Sequence, residues 1–98
     1  MIYVDELVRW GGDDAPRAFR NKPSCHMMAD THEELMAIAR RIGLRPEWVQ
    51  DAGTYREHFD LTPSRRASAV ANGAAELTLS EMGWLLQERR AKEKEEIE

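Results

Sequence analysis

A threonine stands where each of three helices should begin, and this punctuation constrains the fold more than any other feature of the chain. Thr31-His32-Glu33-Glu34 and Thr78-Leu79-Ser80-Glu81 are capping boxes, with Glu three residues after Thr. Thr62-Pro63 is the third start, a good N-cap followed by a residue suited to the first helical position. After Thr31, Leu35, Ile38, Ala39 and Ile42 recur at helical spacing. Gly43 is the expected left-handed stop, Leu44 its hydrophobic contact, and Pro46 bars continuation. The second helix is Ala-rich and ends at Asn72-Gly73. The third turns Leu79, Met82, Leu85 and Leu86 inward. Over 87–98 it becomes a mixed-charge extension with i,i+4 pairs such as Glu88–Lys92.

Short apolar stretches separate the helices. Met1–Val4, Ser24–Ala29, the end of Tyr55–Leu61 and Ala75–Thr78 read as strands. Glu47–Gln50 fits a strand or a helical turn. Glu6–Lys22, with its Gly11-Gly12-Asp13-Asp14 run and Pro16, reads as a long loop anchored by Trp10 and Phe19. The alternation predicts one α/β domain over 1–98. Its sheet should be small and mostly parallel, of about four strands, with three helices.

Charge narrows the partners. A formal net charge of −4 argues against broad, sequence-independent nucleic-acid binding, which needs a basic face. No apolar run approaches a membrane span, and the first residues lack the basic and apolar regions of a signal peptide, so a cytoplasmic location is expected. The lone Cys25 can form neither an internal disulfide nor a cysteine metal motif. A domain this small often completes a pocket by self-association, so a homo-oligomer is an open expectation.

The chemistry concentrates in His58-Phe59-Asp60-Leu61-Thr62-Pro63-Ser64-Arg65-Arg66. Arg65 and Arg66 stand at a helix start, where the macrodipole alone favours acidic residues. Cations there suit a bound anion such as phosphate. Asp5, Asp30 and Asp60 lie at or just after strand ends, where ligands gather in open parallel sheets. His26 and His58 lie nearby in sequence, so His26, Asp30, His58 and Asp60 are expected to line one surface.

Two stretches carry a resemblance. Cys25-His26-Met27-Met28-Ala29-Asp30-Thr31 with Glu33-Glu34-Leu35, and His58-Phe59-Asp60-Leu61 with Arg65-Arg66-Ala67 and Gly73-Ala74, resemble the small bacterial and phage domain family of unknown function DUF4031. Tyr3-Val4-Asp5 fits as well. The resemblance covers almost the whole chain and implies a prokaryotic or phage origin, with a cytosolic setting in the bacterial cell or infected host. His26 and Asp30 match the family's His-(Leu/Met)-x-x-Asp, and His58 and Asp60 match its His-(Tyr/Phe)-Asp. This chain carries Met36 where the family often has a histidine, and its 11–22 segment is longer than usual. The resemblance supplies no activity and no cofactor.

Three chemistries use these residues. The first is binding of a phosphorylated small ligand, a nucleotide or nucleotide-derived signal. It uses Asp5, His26, Asp30, His58, Asp60, Ser64, Arg65 and Arg66, with Tyr55 or Trp48 stacking on a base. The helix-start arginines favour this reading, and Arg65 is the nearer to the free N–H groups. The second is phosphoester hydrolysis, in which His26 and His58 divide general acid and base work and Asp60 orients a ring. The third is a metal site of His26, Asp30, His58 and Asp60. Its spacing lacks a recognised short metal motif, so no metal ligand is assigned from sequence. A blander alternative is a protein-interaction module that uses the charged final helix and no small ligand.

Overall fold

The computed structural model describes residues 1–9 and 22–97. Its elements are β1 (Ile2–Val4), β2 (Val8–Arg9), β3 (Pro23–Ala29), α1 (His32–Arg41), a 3-10 turn (Pro46–Trp48), β4 (Phe59–Leu61), α2 (Pro63–Ala71), β5 (Ala75–Glu76) and α3 (Leu79–Ile97). The anchors expected at Trp10 and Phe19, and most of the expected loop, lie outside the described residues. Val8–Arg9, expected in that loop, is a strand paired with β3.

The three caps form where the sequence sets them. The Thr31, Thr62 and Thr78 hydroxyls accept from the N–H groups of Glu34, Arg65 and Glu81 at 3.1, 3.4 and 3.1 Å. The Thr78 box is reciprocal, its own N–H donating to Glu81 Oε1 at 2.9 Å. Gly43 ends α1 at φ +84, the left-handed region that favours glycine.

The α/β class and the three helices hold, but a mostly parallel sheet does not. Among the described residues five strands form the sheet, and β1, β2 and β4 all pair antiparallel to β3, while β1 and β5 alone are parallel. The connections explain the difference. A parallel crossover needs the helix alone to return the chain to the end of the sheet where the first strand began. Here α1 makes that return, and residues 43–58 then carry the chain forward again before β4 begins. β4 therefore starts opposite Met27 and descends to Leu61 opposite Cys25. The chain between β1 and β3 holds no helix among its described residues, and those two strands also pair antiparallel.

One face of the sheet meets α1 and α2. Val4, Cys25, Met27, Phe59 and Leu61 project from it into a core with Leu35, Ile38, Ala39 and Ala69, all nearly solvent-free. Fully burying aliphatic or aromatic side chains of this size contributes roughly 1.5–3 kcal/mol each. Side chains alternate along a strand, so committing Cys25, Met27, Phe59 and Leu61 to this core turns His26, His58 and Asp60 to the other face. α3 is tied back to the sheet end by Arg89, which donates to the Ala29 carbonyl at 2.5 Å and lies 3.5 Å from Asp30. No helix of the described residues is long and apolar enough to cross a membrane.

Candidate metal centre

His26 stands directly opposite Asp60 in the β3–β4 ladder. Opposed residues share a face, and His58, two positions before Asp60, points the same way. His58 Nε2 lies 3.5 Å from Asp60 Oδ1, and His26 Nε2 lies 3.9 Å from the same oxygen. The two rings meet edge to face with centroids 5.2 Å apart. One donor atom from each of the three residues lies within 4.8 Å of the other two.

Each imidazole is held through its other nitrogen. His58 Nδ1 is 2.6 Å from the Arg56 carbonyl oxygen. A carbonyl only accepts, so Nδ1 carries the proton and the neutral ring keeps its lone pair at Nε2. His26 Nδ1 is 2.9 Å from Asp5 Oδ2, and an ionised carboxylate imposes the same tautomer. Both lone pairs therefore belong to the nitrogens that face Asp60. Metal-binding histidines characteristically donate their second N–H to a carboxylate or carbonyl in this way.

Asp5 reaches His26 because the β1 side of the sheet carries an extra residue. Val4 is opposite Met27, so an unbroken ladder would set Val8 opposite Pro23; it stands opposite Ser24 instead. Such bulges re-aim a side chain locally. The Asp5 N–H still donates to the His26 carbonyl at 3.2 Å, but the His26 N–H donates to Asp5 Oδ1 at 2.7 Å. The Asp5 carbonyl turns instead to Arg66, whose Nε donates to it at 2.8 Å. Asp5 is 2% exposed, and its carboxylate holds both the backbone and the ring of His26.

Gln50 holds the other side. Its backbone exchanges hydrogen bonds with His58 at 2.9 and 3.1 Å, and its side-chain amide donates to Asp60 Oδ2. Burial raises the Asp60 pKa, but the His58 ring, which donates from Nε2 when it carries a second proton, and the Gln50 amide outweigh it, and the carboxyl ends below its ordinary value. Burial lowers the His58 pKa, but Asp60 and the Arg56 carbonyl outweigh it, and the net shift is upward. The Cys25 thiol, on the opposite face, is pushed by burial up to about 12 and is inert.

The structure thus gathers Asp5, His26, His58 and Asp60. Asp30 lies apart, with Tyr3 Oη at 2.9 Å and Arg89 at 3.5 Å. Of the four residues expected on one surface, three meet there. The Ser64 hydroxyl is 3.3 Å from that of Thr62. Arg65 donates to the Ile42 carbonyl at the end of α1. Arg66 is the arginine linked to the cluster, through the Asp5 carbonyl, and its Nη1 also pairs with Glu76 at 2.9 Å. Trp48 is half exposed beneath Arg45. A depression of about 660 Å³ near the start of α1 is lined by Asp30, His32, Tyr55, Glu57, Arg89 and Lys92 among others, and none of the three facing donors lines it.

Sequence reasoning missed Gln50 and the Arg56 carbonyl. Gln50 reaches the site through a backbone bridge to His58 that no local pattern marks. The Arg56 carbonyl, though only two residues from His58, is a backbone group that any residue type would supply. The extra residue after Val4 leaves no mark in the sequence either, being a property of pairing with β3.

No curated protein and no solved structure gives a match. A family profile described as "Protein of unknown function (DUF4031)" matches residues 2–89. That span is most of the chain and includes every residue of the cluster, and the chain belongs to this family.

Proposed function

We propose that the protein is a metal-dependent hydrolase acting on a phosphorylated small molecule, with a nucleotide ester as the first substrate class to test. The observation that carries this reading is the set of two histidines and one carboxylate whose second ring nitrogens are both already held by acceptors. Imidazole and carboxylate donors suit zinc, manganese or iron. Such ions sit about 2.0–2.2 Å from their ligands, which needs donors roughly 3–3.5 Å apart. The His58–Asp60 separation of 3.5 Å meets this, and that of His26 from Asp60, 3.9 Å, needs only a small ring movement.

His26, His58 and Asp60 would hold the ion and leave a position for water, and the ion would supply hydroxide from that water near neutral pH. Attack of that hydroxide on phosphorus would form one P–O bond and break the ester P–O bond, with solvent water giving the leaving oxygen its proton. Neither arginine of the α2 start is committed to that oxygen. Arg65 and Arg66 are both turned to protein carbonyls, so the ion would neutralise the charge developing on phosphorus.

The test is direct. Chelator-treated protein is given Zn²⁺, Mn²⁺ or Fe²⁺ separately, bound metal is counted by mass spectrometry, and hydrolysis of bis(p-nitrophenyl) phosphate and of cyclic nucleotides is followed. The expected result is one ion per chain and ion-dependent turnover that His58→Ala abolishes. Tight retention of an intact phosphorylated ligand without turnover would instead support a binding module. Protein that takes up no ion would end the metal reading.

A further inference from the structure

The Asp60 carboxylate has two oxygens with different duties. Oδ1 is the atom recorded near both histidine Nε2 atoms, at 3.5 and 3.9 Å. Oδ2 accepts from the Gln50 side-chain amide. A carboxylate beside a cation can bind through one oxygen or both. Large hard cations readily accept the two-oxygen mode, whereas four-coordinate zinc uses one. A donor fixed on Oδ2 competes with the two-oxygen mode.

From this asymmetry we infer that Gln50 is a positioning residue that holds Asp60 to one-oxygen coordination. It thereby keeps a coordination position open and biases the centre toward zinc-like ions. The inference rests on the metal reading above. The geometry isolates the side chain unusually well. The Gln50 backbone bridges His58, but the amide alone touches Asp60, so truncation leaves the bridge intact. Gln50 is exposed, so shortening it empties no core space. A Glu at this position would set a second carboxylate against Asp60, so Gln supplies both the donor and the neutrality.

Cobalt(II) is the probe, because its visible absorption is intense in four-coordinate sites and weak in six-coordinate ones. Wild-type protein and Gln50→Ala are titrated with Co²⁺, and competition with Zn²⁺ and Mn²⁺ gives relative affinities. Wild type is expected to show the intense spectrum. Gln50→Ala should bind Co²⁺ with a weaker, shifted band, and its preference for Mn²⁺ over Zn²⁺ should rise about tenfold, the lower end of supporting-residue effects. Gln50→Glu, which keeps the length but offers no donor when ionised, should not restore the wild-type spectrum. Thermal unfolding of the metal-free variants checks that the fold is unchanged. Superimposable spectra and preferences in wild type and Gln50→Ala would overturn the role of Gln50 while leaving the metal site standing. Absence of Co²⁺ binding by wild type would overturn both.

Discussion

Asp5 replaces its own backbone carbonyl as the acceptor for His26. The His26 N–H donates to Asp5 Oδ1 at 2.7 Å, while the Asp5 carbonyl is drawn off to Arg66 at 2.8 Å. One buried carboxylate thereby fixes both the strand position of His26 and the proton on its ring. Asp5→Asn separates these two duties. The amide oxygen can still accept from the His26 N–H, but the amide nitrogen offers only donors to Nδ1. The proton should move to Nε2 and block the metal-facing lone pair. Metal affinity is expected to fall about 10- to 100-fold with little change in melting temperature. Nitrogen NMR of the ring gives the tautomer and calorimetry gives the affinity. Unchanged affinity in Asp5→Asn would refute this role.

Metal removal should be visible in stability. An ion that binds only the folded chain adds about 2.7 kcal/mol when present at a hundred times its dissociation constant. Thermal unfolding with excess Zn²⁺ and with EDTA should differ clearly for wild type. His58→Ala and Asp60→Ala should melt at the same temperature in both buffers. An equal EDTA effect in wild type and variants would place the ion elsewhere.

Arg65 and Arg66 should behave differently. Arg65 caps the end of α1 at the Ile42 carbonyl, and a Cβ added to Gly43 would meet its Nη1 at 2.6 Å. Arg65→Gln should cost about 1.5–3 kcal/mol, the range for hydrogen bonds to charged groups, without changing metal affinity. Arg66→Gln releases the Asp5 carbonyl and should weaken metal binding as well as stability. From sequence, Arg65 is the nearer to the free N–H groups of α2. Its engagement with Ile42 comes from a contact across twenty-three positions, which no local pattern encodes. Denaturant unfolding beside metal titration separates the two residues.

The legible parts of the molecule were those fixed by neighbours in sequence. Thr31, Thr62 and Thr78 cap helices because the groups they satisfy lie three residues away. Gly43 stops α1 because only the local backbone needs a positive φ. Strand direction was not legible, because residues 43–58 decide it and their course depends on packing. The histidine cluster was half legible. Alternation sets His58 and Asp60 on one face, but the register that brings His26 opposite Asp60 is a long-range fact. Asp30 looked equivalent to Asp60, both being aspartates near strand ends, yet the end of β3 delivers it to Tyr3 and Arg89.

That separate placement gives Asp30 its own pH signature. Burial raises its pKa, but the Tyr3 hydroxyl, the chain's amino group and Arg89 outweigh this and hold the carboxyl below its ordinary value of 3.8. A carboxyl depressed in the folded state contributes stability that is fully present above its unfolded pKa. That contribution is lost as pH falls through the folded value. Wild type should therefore be more stable than Asp30→Asn at pH 7. The gap should begin to close below about pH 4, where the unfolded carboxyl protonates, and vanish once the folded one does too. The side chain is 48% exposed, so solvent screening keeps the gap small. Asparagine keeps an acceptor for Tyr3 and removes the charge that both the Met1 amino group and Arg89 face, so the part of the difference shared with Arg89 reports the tie between the end of β3 and α3. Arg89→Gln should show the same pH trend, and the double variant should be less than additive, since the two residues share one contact. Urea unfolding of the four proteins across this range measures it. A gap that persists unchanged in acid would mean that the Asp30 charge does not secure α3.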